Sequence, residues 1–196
     1  VCTADGAQKH RVALYDFGPK TNIVRSLTKR GCEVTLLPFD THAQYVLSQE
    51  FDGVMLSNGP GDPADNTKVV EEIRKLFGKI PMFGICLGHQ LLALAAGAKT
   101  EKLKYGHRGV NQPVKERSGG RVFISSQNHG YAVKGESLEK IGAKQSFINA
   151  NDGTNEGAFY PGKRAFSVQF HPEACSGPKD TEFLFDRFIK LMEEGE

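Results

Sequence analysis

The sequence predicts an α/β fold: a central, mainly parallel sheet with flanking helices, plus an antiparallel extension in the C-terminal half. Two observations carry this. Up to Gly97, short β-prone runs alternate with segments of helical periodicity. Strands joined through helices in this way imply right-handed βαβ crossovers. From Lys99 to Gln169, strand-like runs follow one another without a long helix between them, a spacing that suits antiparallel pairing.

The elements follow in order. RVALYD is a short strand closed by the turn signal Phe17-Gly18-Pro19. Ile23, Val24 and Leu27 stand at helical spacing, and Gly31 is the expected C-terminal cap. CEVTLLPF is the second strand, HAQYVLSQ a weaker helix and GVMLS the third strand. NGPGDPADN is too rich in Gly, Pro, Asn and Asp to be anything but loop. Thr67 to Phe77 puts Val69, Val70, Ile73, Leu76 and Phe77 on one face of an amphipathic helix.

PMFGIC is the fourth strand, and LGHQLLALAAG is the helix behind it, ending in Gly97. KTEKL, QPVKE, RVFISS, YAV, QSFINA, GAFY and AFSVQF are the later strands, expected to pair beside the parallel sheet. The last helix spans about Asp180 to Glu194, burying Leu184, Phe185, Phe188, Ile189, Leu191 and Met192. Asp180 and Glu182 lie near its positive end. Residues 1–10 lack periodicity and read as a linker or tail, leaving 11–196 as a single domain of a chain excised from something longer.

Composition narrows the function classes. The chain has 196 residues, 39% hydrophobic and 24% charged, with a net charge of +2. Its 25 basic residues are scattered, which argues against nucleic acid as a partner, since phosphate binding needs a concentrated basic surface. No apolar run approaches the ~20 residues of a membrane span, and no signal peptide opens the chain. Cys2, Cys32, Cys86 and Cys175 never form a CxxC pair, which suits a reduced, cytoplasmic protein.

Ligands in open α/β sheets bind beyond the carboxyl ends of the strands. NGPGDP and CLGH both lie at that edge. In GICLGHQ, Gly84 and Gly88 flank Cys86 at two residues on either side. Small residues there allow a sharp strand-to-helix turn, as in the Gly-x-Ser-x-Gly elbow of hydrolases. Cys86 then stands at a helix N-terminus that favours a thiolate. A buried core cysteine is the competing reading, against which the paired glycines weigh.

A cysteine nucleophile needs a base and a group to orient it. His10 and His42 lie in polar segments and are expected to be exposed. His107 reads as a turn residue, His129 as the end of a strand, and His89 as lying to the side of its helix. His171 follows an apolar strand, and Glu173 is two residues on, facing the same way in an extended segment. Cys86-x-x-His89 with His171-x-x-x-Cys175 is the competing pattern, a tetrahedral zinc site. In SNGPGDP, Gly59 and Gly61 can present bare amides to a developing oxyanion, and the Leu87 amide lies just past the nucleophile. An ordinary Asp/Gly/Pro turn is the plain alternative. GPKT lacks the upstream glycine of a phosphate loop, so the chain itself is not expected to bind ATP.

GICLGHQ, the upstream NGPGDP and the downstream FHPE together resemble the class I (triad-type) glutamine amidotransferases, over residues 11–192. YDFGPKTN, LLALAAGAKT, YGHRGVNQPV, SSQNHGYAV and NDGTNEG further resemble the glutaminase half of the carbamoyl-phosphate synthase small subunit. The glutaminases of anthranilate and GMP synthases share the elbow and HPE, but not those segments.

The resemblance implies that Cys86 attacks the side-chain amide of L-glutamine to give a thioester. It makes His171 the proton carrier and Glu173 its orienter, with an oxyanion hole from the Gly59 and Leu87 amides. Gly61, Gln90, Asn128, Gly130 and Tyr131 match substrate-contacting positions, although Tyr131 also reads as a half-buried strand aromatic. No metal or cofactor is expected in this chain. ATP and metal belong on a large synthetase subunit that uses the ammonia for carbamoyl phosphate, in arginine and pyrimidine synthesis. The family's small subunit has a further N-terminal domain, absent from this chain. The alternatives are another synthase's glutaminase, a γ-glutamyl hydrolase or cysteine peptidase, or a noncatalytic, zinc-stabilised docking module.

Overall fold

In a computed structural model, residues 1–18, 20–173 and 180–194 are described. Pro19 and Cys175 lie outside them, so the turn proline and the second cysteine of the zinc pattern are not described. The strands are β1 (His10–Asp16), β2 (Cys32–Pro38), β3 (Gly53–Leu56), β4 (Met82–Ile85), β5 (Thr100–Glu116), β6 (Val122–Val133), β7 (Lys144–Asn149), β8 (Asn155–Tyr160) and β9 (Ala165–Val168). They form one sheet in the order β2-β1-β3-β4-β9-β8-β7-β5-β6.

β1 to β4 and β9 pair in parallel, and the remaining pairs are antiparallel. The extension therefore continues the parallel sheet instead of packing beside it. β9 makes this possible, running parallel to β4 on one side and antiparallel to β8 on the other. Cys2 adds an antiparallel bridge to Val34 at the β2 edge.

The helices are α1 (Thr21–Thr28), α2 (Ala43–Ser48), α3 (Thr67–Leu76), α4 (Leu87–Ala96), α5 (Gly135–Lys140) and α6 (Phe183–Glu193). Alternation along each strand sends side chains to opposite faces. Ala13, Tyr15, Val54, Leu56 and Met82 join α2, α3 and α4 in one core, while Val12, Leu14, Met55, Phe83 and Ile85 join α1 and α6 in the other. Phe83 stacks on Phe166 at 4.4 Å and meets Phe185 edge-on at 5.8 Å. A fully buried Phe or Leu contributes about 1.5–3 kcal/mol, so these two cores hold the sheet edge where the site is built.

Several expectations change. KTEKL and QPVKE are one strand, β5, because register shifts between Lys102/His107 and Gly109/Gln112 absorb the irregular YGHRG stretch. Gly106 and Gly109 take positive φ there, of 69° and 132°. His107 is thus a strand residue. RVFISS and YAV likewise fuse into β6, which puts His129 inside the strand.

Pro63–Asp65 forms a 3-10 turn, since the Asp62 side chain accepts the Ala64 amide at 2.9 Å. α1 ends at Thr28 with Lys29 as its C-cap, and Gly31 turns the chain only afterwards, at φ 82°. α6 fully buries only Leu184, Phe185 and Phe188. His10 is largely covered, 3.5 Å from Glu193, whereas His42 is exposed.

Candidate active site

β4 runs straight into α4, and Cys86 is the single residue between them. Its φ of 54° and ψ of −105° lie in a region that side chains avoid. The flanking glycines make the turn possible. A Cβ on Gly84 would lie 2.6 Å from the Gly88 carbonyl oxygen, and one on Gly88 would overlap the Leu56 carbonyl of β3. The Cys86 amide donates to Val168 O at 2.9 Å and the Gly88 amide to Ser57 O at 3.1 Å. The elbow is thereby tied to β9 on one side and to the end of β3 on the other.

His171 and Glu173 leave the end of β9 together. His171 Nδ1 lies 2.8 Å from Glu173 Oε1, and both residues are buried. The His171 amide donates to Ser126 O, fastening this residue to β6. Burial alone lowers the His171 pKa, but hydrogen bonds and negative charge from Cys86 and Glu173 outweigh it and raise it to about 9. The imidazole thus interacts with both Cys86 and Glu173, the latter through Nδ1. Cys86 itself is 5% exposed. The core-cysteine reading is right about burial, and the His171 contact distinguishes this site from simple packing.

The loop after β3 approaches the elbow closely. A Cβ on Gly59 would clash with the Phe17 carbonyl and lie 2.9 Å from Leu87 Cδ2. Among the described residues, neither the Gly59 nor the Leu87 amide donates to a protein acceptor. Asn58 holds the loop, donating to Gly18 O at 3.2 Å and accepting from the Lys20 amide at 3.2 Å. Gly61 has a φ of 101° and open space around it. Asp62, on the loop after β3, acts on the Tyr131 phenol and holds its pKa up, so the loop and β6 approach each other across the site.

Gln90, on α4, donates its Nε2 to Tyr131 O at 2.8 Å and to Gln169 Oε1 at 2.9 Å. Asn128 is exposed on β6, and Gly130 lies beside Arg108. The structure thus gathers Cys86, His171, Glu173, Leu87, Gly59, Gln90 and Tyr131 around one sheet edge, with Asn128 and Gly130 on the strand that borders it.

Three contributors were not singled out from the sequence. Lys20 Nζ is 3.8 Å from Glu173 Oε1, and Asn22 Nδ2 donates to the Glu173 carbonyl at 3.0 Å. Both belong to YDFGPKTN, which the resemblance marks without assigning roles. The third is Gln169, in the strand run before the base.

The other histidines have structural partners. His89 is fully buried, with Nδ1 2.8 Å from Ser167 Oγ, and burial lowers its pKa to about 3. It points into the fold and not to the side of the helix as expected. His107, His129 and Glu156 come together, but three of the four ring nitrogens already have hydrogen-bond partners, and His107 Nδ1 faces Glu156 Oε1 at 3.2 Å. His107 Nε2 meets Asp152 at 2.8 Å, and His129 meets Tyr131 O at 2.7 Å and Gln127 Oε1 at 2.9 Å.

The family model of glutamine amidotransferase class-I matches residues 13–191. The chain belongs to that family. Among curated relatives of this glutamine amidotransferase, the carbamoyl phosphate synthase pyrimidine-specific small chain of Halalkalibacterium halodurans is 57% identical over 183 residues. The alignment covers 93% of this chain and 51% of that protein. The carbamoyl phosphate synthase small chain of Listeria innocua is 54% identical over 189 residues, covering 95% and 52%. The chain spans about half the length of the curated relatives it matches. The crystal structure of a Thermoplasma acidophilum protein described as a GMP synthase subunit superposes with a TM-score of 0.81 at 20% identity, over 94% of each chain. At that identity the likeness concerns the fold alone.

Proposed function

We propose that this glutamine amidotransferase domain hydrolyses glutamine to glutamate and ammonia through a thioester on Cys86. The observation that carries the reading is His171 hydrogen-bonded to Glu173 and acted on electrostatically by Cys86, at a strained strand-to-helix elbow. The Cys86 sulfur attacks the side-chain carbon, and the electron pair moves onto the carbonyl oxygen. The Gly59 and Leu87 amides receive that oxyanion, a contribution of about 10²–10³ in rate for one well-placed donor. With its pKa raised to about 9, His171 is protonated at neutral pH and gives its proton to the departing ammonia. Water then attacks the thioester, His171 takes its proton, and the C–S bond breaks to release glutamate.

Gln90 meets the substrate with its oxygen, because both hydrogens of its amide already go to Tyr131 and Gln169. An acceptor suits the α-ammonium. Gly61, Asn128, Gly130 and Tyr131 complete the pocket. The ammonia feeds carbamoyl phosphate synthesis on a large synthetase subunit, which holds the ATP and metal. The naming of the relatives as carbamoyl phosphate synthase small chains supports this partner. Free thiols at Cys2, Cys32 and Cys86 suit a reducing cytoplasm. Among the described residues, no helix is long and apolar enough to cross a membrane.

The test is ammonia release from glutamine by the wild type and Cys86→Ala, alone and with the large subunit of a relative. The wild type should release ammonia slowly by itself and faster with that partner, and the variant should release none. Equal rates in wild type and variant would end the reading.

A further inference from the structure

Gln169 is fully buried between β9 and His171, and the reaction outlined above makes no use of it. Its side-chain nitrogen lies 3.7 Å from Cys86 Sγ. Which end of a carboxamide faces the sulfur decides its effect, and the neighbours fix that end. The Tyr131 carbonyl can only accept, so the Gln90 atom 2.8 Å away from it is the NH2. The same nitrogen is 2.9 Å from Gln169, and it requires an oxygen there. Gln169 therefore turns its oxygen to Gln90 and its NH2 to the sulfur. The backbone is held as well, because the Gln169 amide donates to Glu156 O at 2.9 Å.

We propose that Gln169 is a second polar partner of the reacting sulfur, an uncharged donor that holds and orients the Cys86 thiolate alongside His171. A buried thiolate needs more than one of its lone pairs satisfied, and donors to the charged form favour it. The amide keeps its hydrogens throughout the reaction, whereas His171 passes its proton on. The relay from Tyr131 through Gln90 and Gln169 to Cys86 also links the substrate-side wall to the charge on the nucleophile. The inference rests on Cys86 being the nucleophile, and it does not depend on glutamine being the substrate.

The experiment is alkylation of the full chain by iodoacetamide from about pH 5 to 10, with the Cys86 peptide quantified by mass spectrometry. Gln169→Met keeps the length and removes the donor. Its Cys86 alkylation at neutral pH is expected to fall about five- to tenfold, with the pH midpoint moved upward. Gln169→Glu keeps the shape and the bond to Gln90 but sets a carboxylate against the sulfur. It should slow alkylation more than tenfold. A role in packing alone would lower the melting temperature and leave the midpoint in place. A folded variant of either kind with the wild-type midpoint overturns the proposal, and if Gln169→Met does not fold, Gln169→Glu decides alone. A midpoint that shifts as expected in a protein that releases no ammonia from glutamine would sink the glutaminase reading and leave this one standing.

Discussion

His171 Nδ1 and Glu173 Oε1 lie 2.8 Å apart although only one residue separates them in the chain. The extended segment after β9 turns both side chains the same way, and burial excludes competing water. The carboxylate fixes the imidazole orientation and supports its positive charge.

Glu173→Gln should therefore lower the His171 pKa and move the alkaline limb of the glutaminase pH profile to lower pH. We expect the rate at neutral pH to drop about tenfold, less than for a serine enzyme, because a thiolate is intrinsically nucleophilic. A full profile of turnover against pH checks this. An unmoved alkaline limb would remove Glu173 from the role.

The backbone at Cys86 makes a second prediction. A non-glycine residue in such a conformation stores on the order of 1–3 kcal/mol. Cys86→Gly should thus be more stable than Cys86→Ala by about 1 kcal/mol, although glycine ordinarily destabilises folded positions. Urea denaturation of the two variants is the measurement, and the reverse order would mean that the elbow is unstrained.

The Tyr131 phenol and the Asp62 carboxylate interact where β6 faces the loop after β3. Tyr131→Phe leaves the ring and removes that interaction, so the loop carrying Gly59 and Gly61 is held less firmly. KM for glutamine should rise severalfold, with kcat changed by less than about twofold, as expected when binding and not the chemical step is affected. Steady-state kinetics distinguishes this from a kcat defect, which would move Tyr131 into the chemistry.

His107 gives a stability prediction. It faces Glu156 of β8, Asp152 before β8 and the His129 ring of β6, 5.0 Å away. The Glu156 hydrogen bond first, and then Asp152, outweigh burial and raise its pKa to about 9. Burial lowers the His129 pKa to about 4, so that ring stays neutral. A raised folded-state pKa means stability that is complete below the unfolded value of ~6.5 and lost as pH rises through the folded value. His171 titrates in the same direction, so the readout is the difference between wild type and His107→Gln. Denaturation at about pH 6 and pH 10 should give the wild type an extra loss on the order of 2 kcal/mol. Equal losses in the two proteins would refute the assignment.

Part of this was legible in the residues. Strand and helix alternation, the glycines around Cys86 and the pair His171-Pro172-Glu173 are local patterns, and each describes a few consecutive residues whose backbone geometry is nearly dictated. The fusion of KTEKL with QPVKE escaped because Gly106 and Gly109 read as turn residues, while in the sheet they serve as irregularities within a strand. The short α5 escaped too, because GESLEK carries a single large apolar residue, Leu138, and so no periodic signal.

The sequence by itself determined the class of fold, the glycine-flanked turn at Cys86 and the pairing of His171 with Glu173, because those depend on neighbours along the chain. Only the tertiary structure decided that Cys86 meets His171, that Gln90 spends its hydrogens on Tyr131 and Gln169, and that His107 lies between Asp152 and Glu156. These partners stand 41 to 85 residues apart along the chain, and strand order brings them together. Which donor faces which acceptor is settled only when the backbone carbonyls around them are fixed in space.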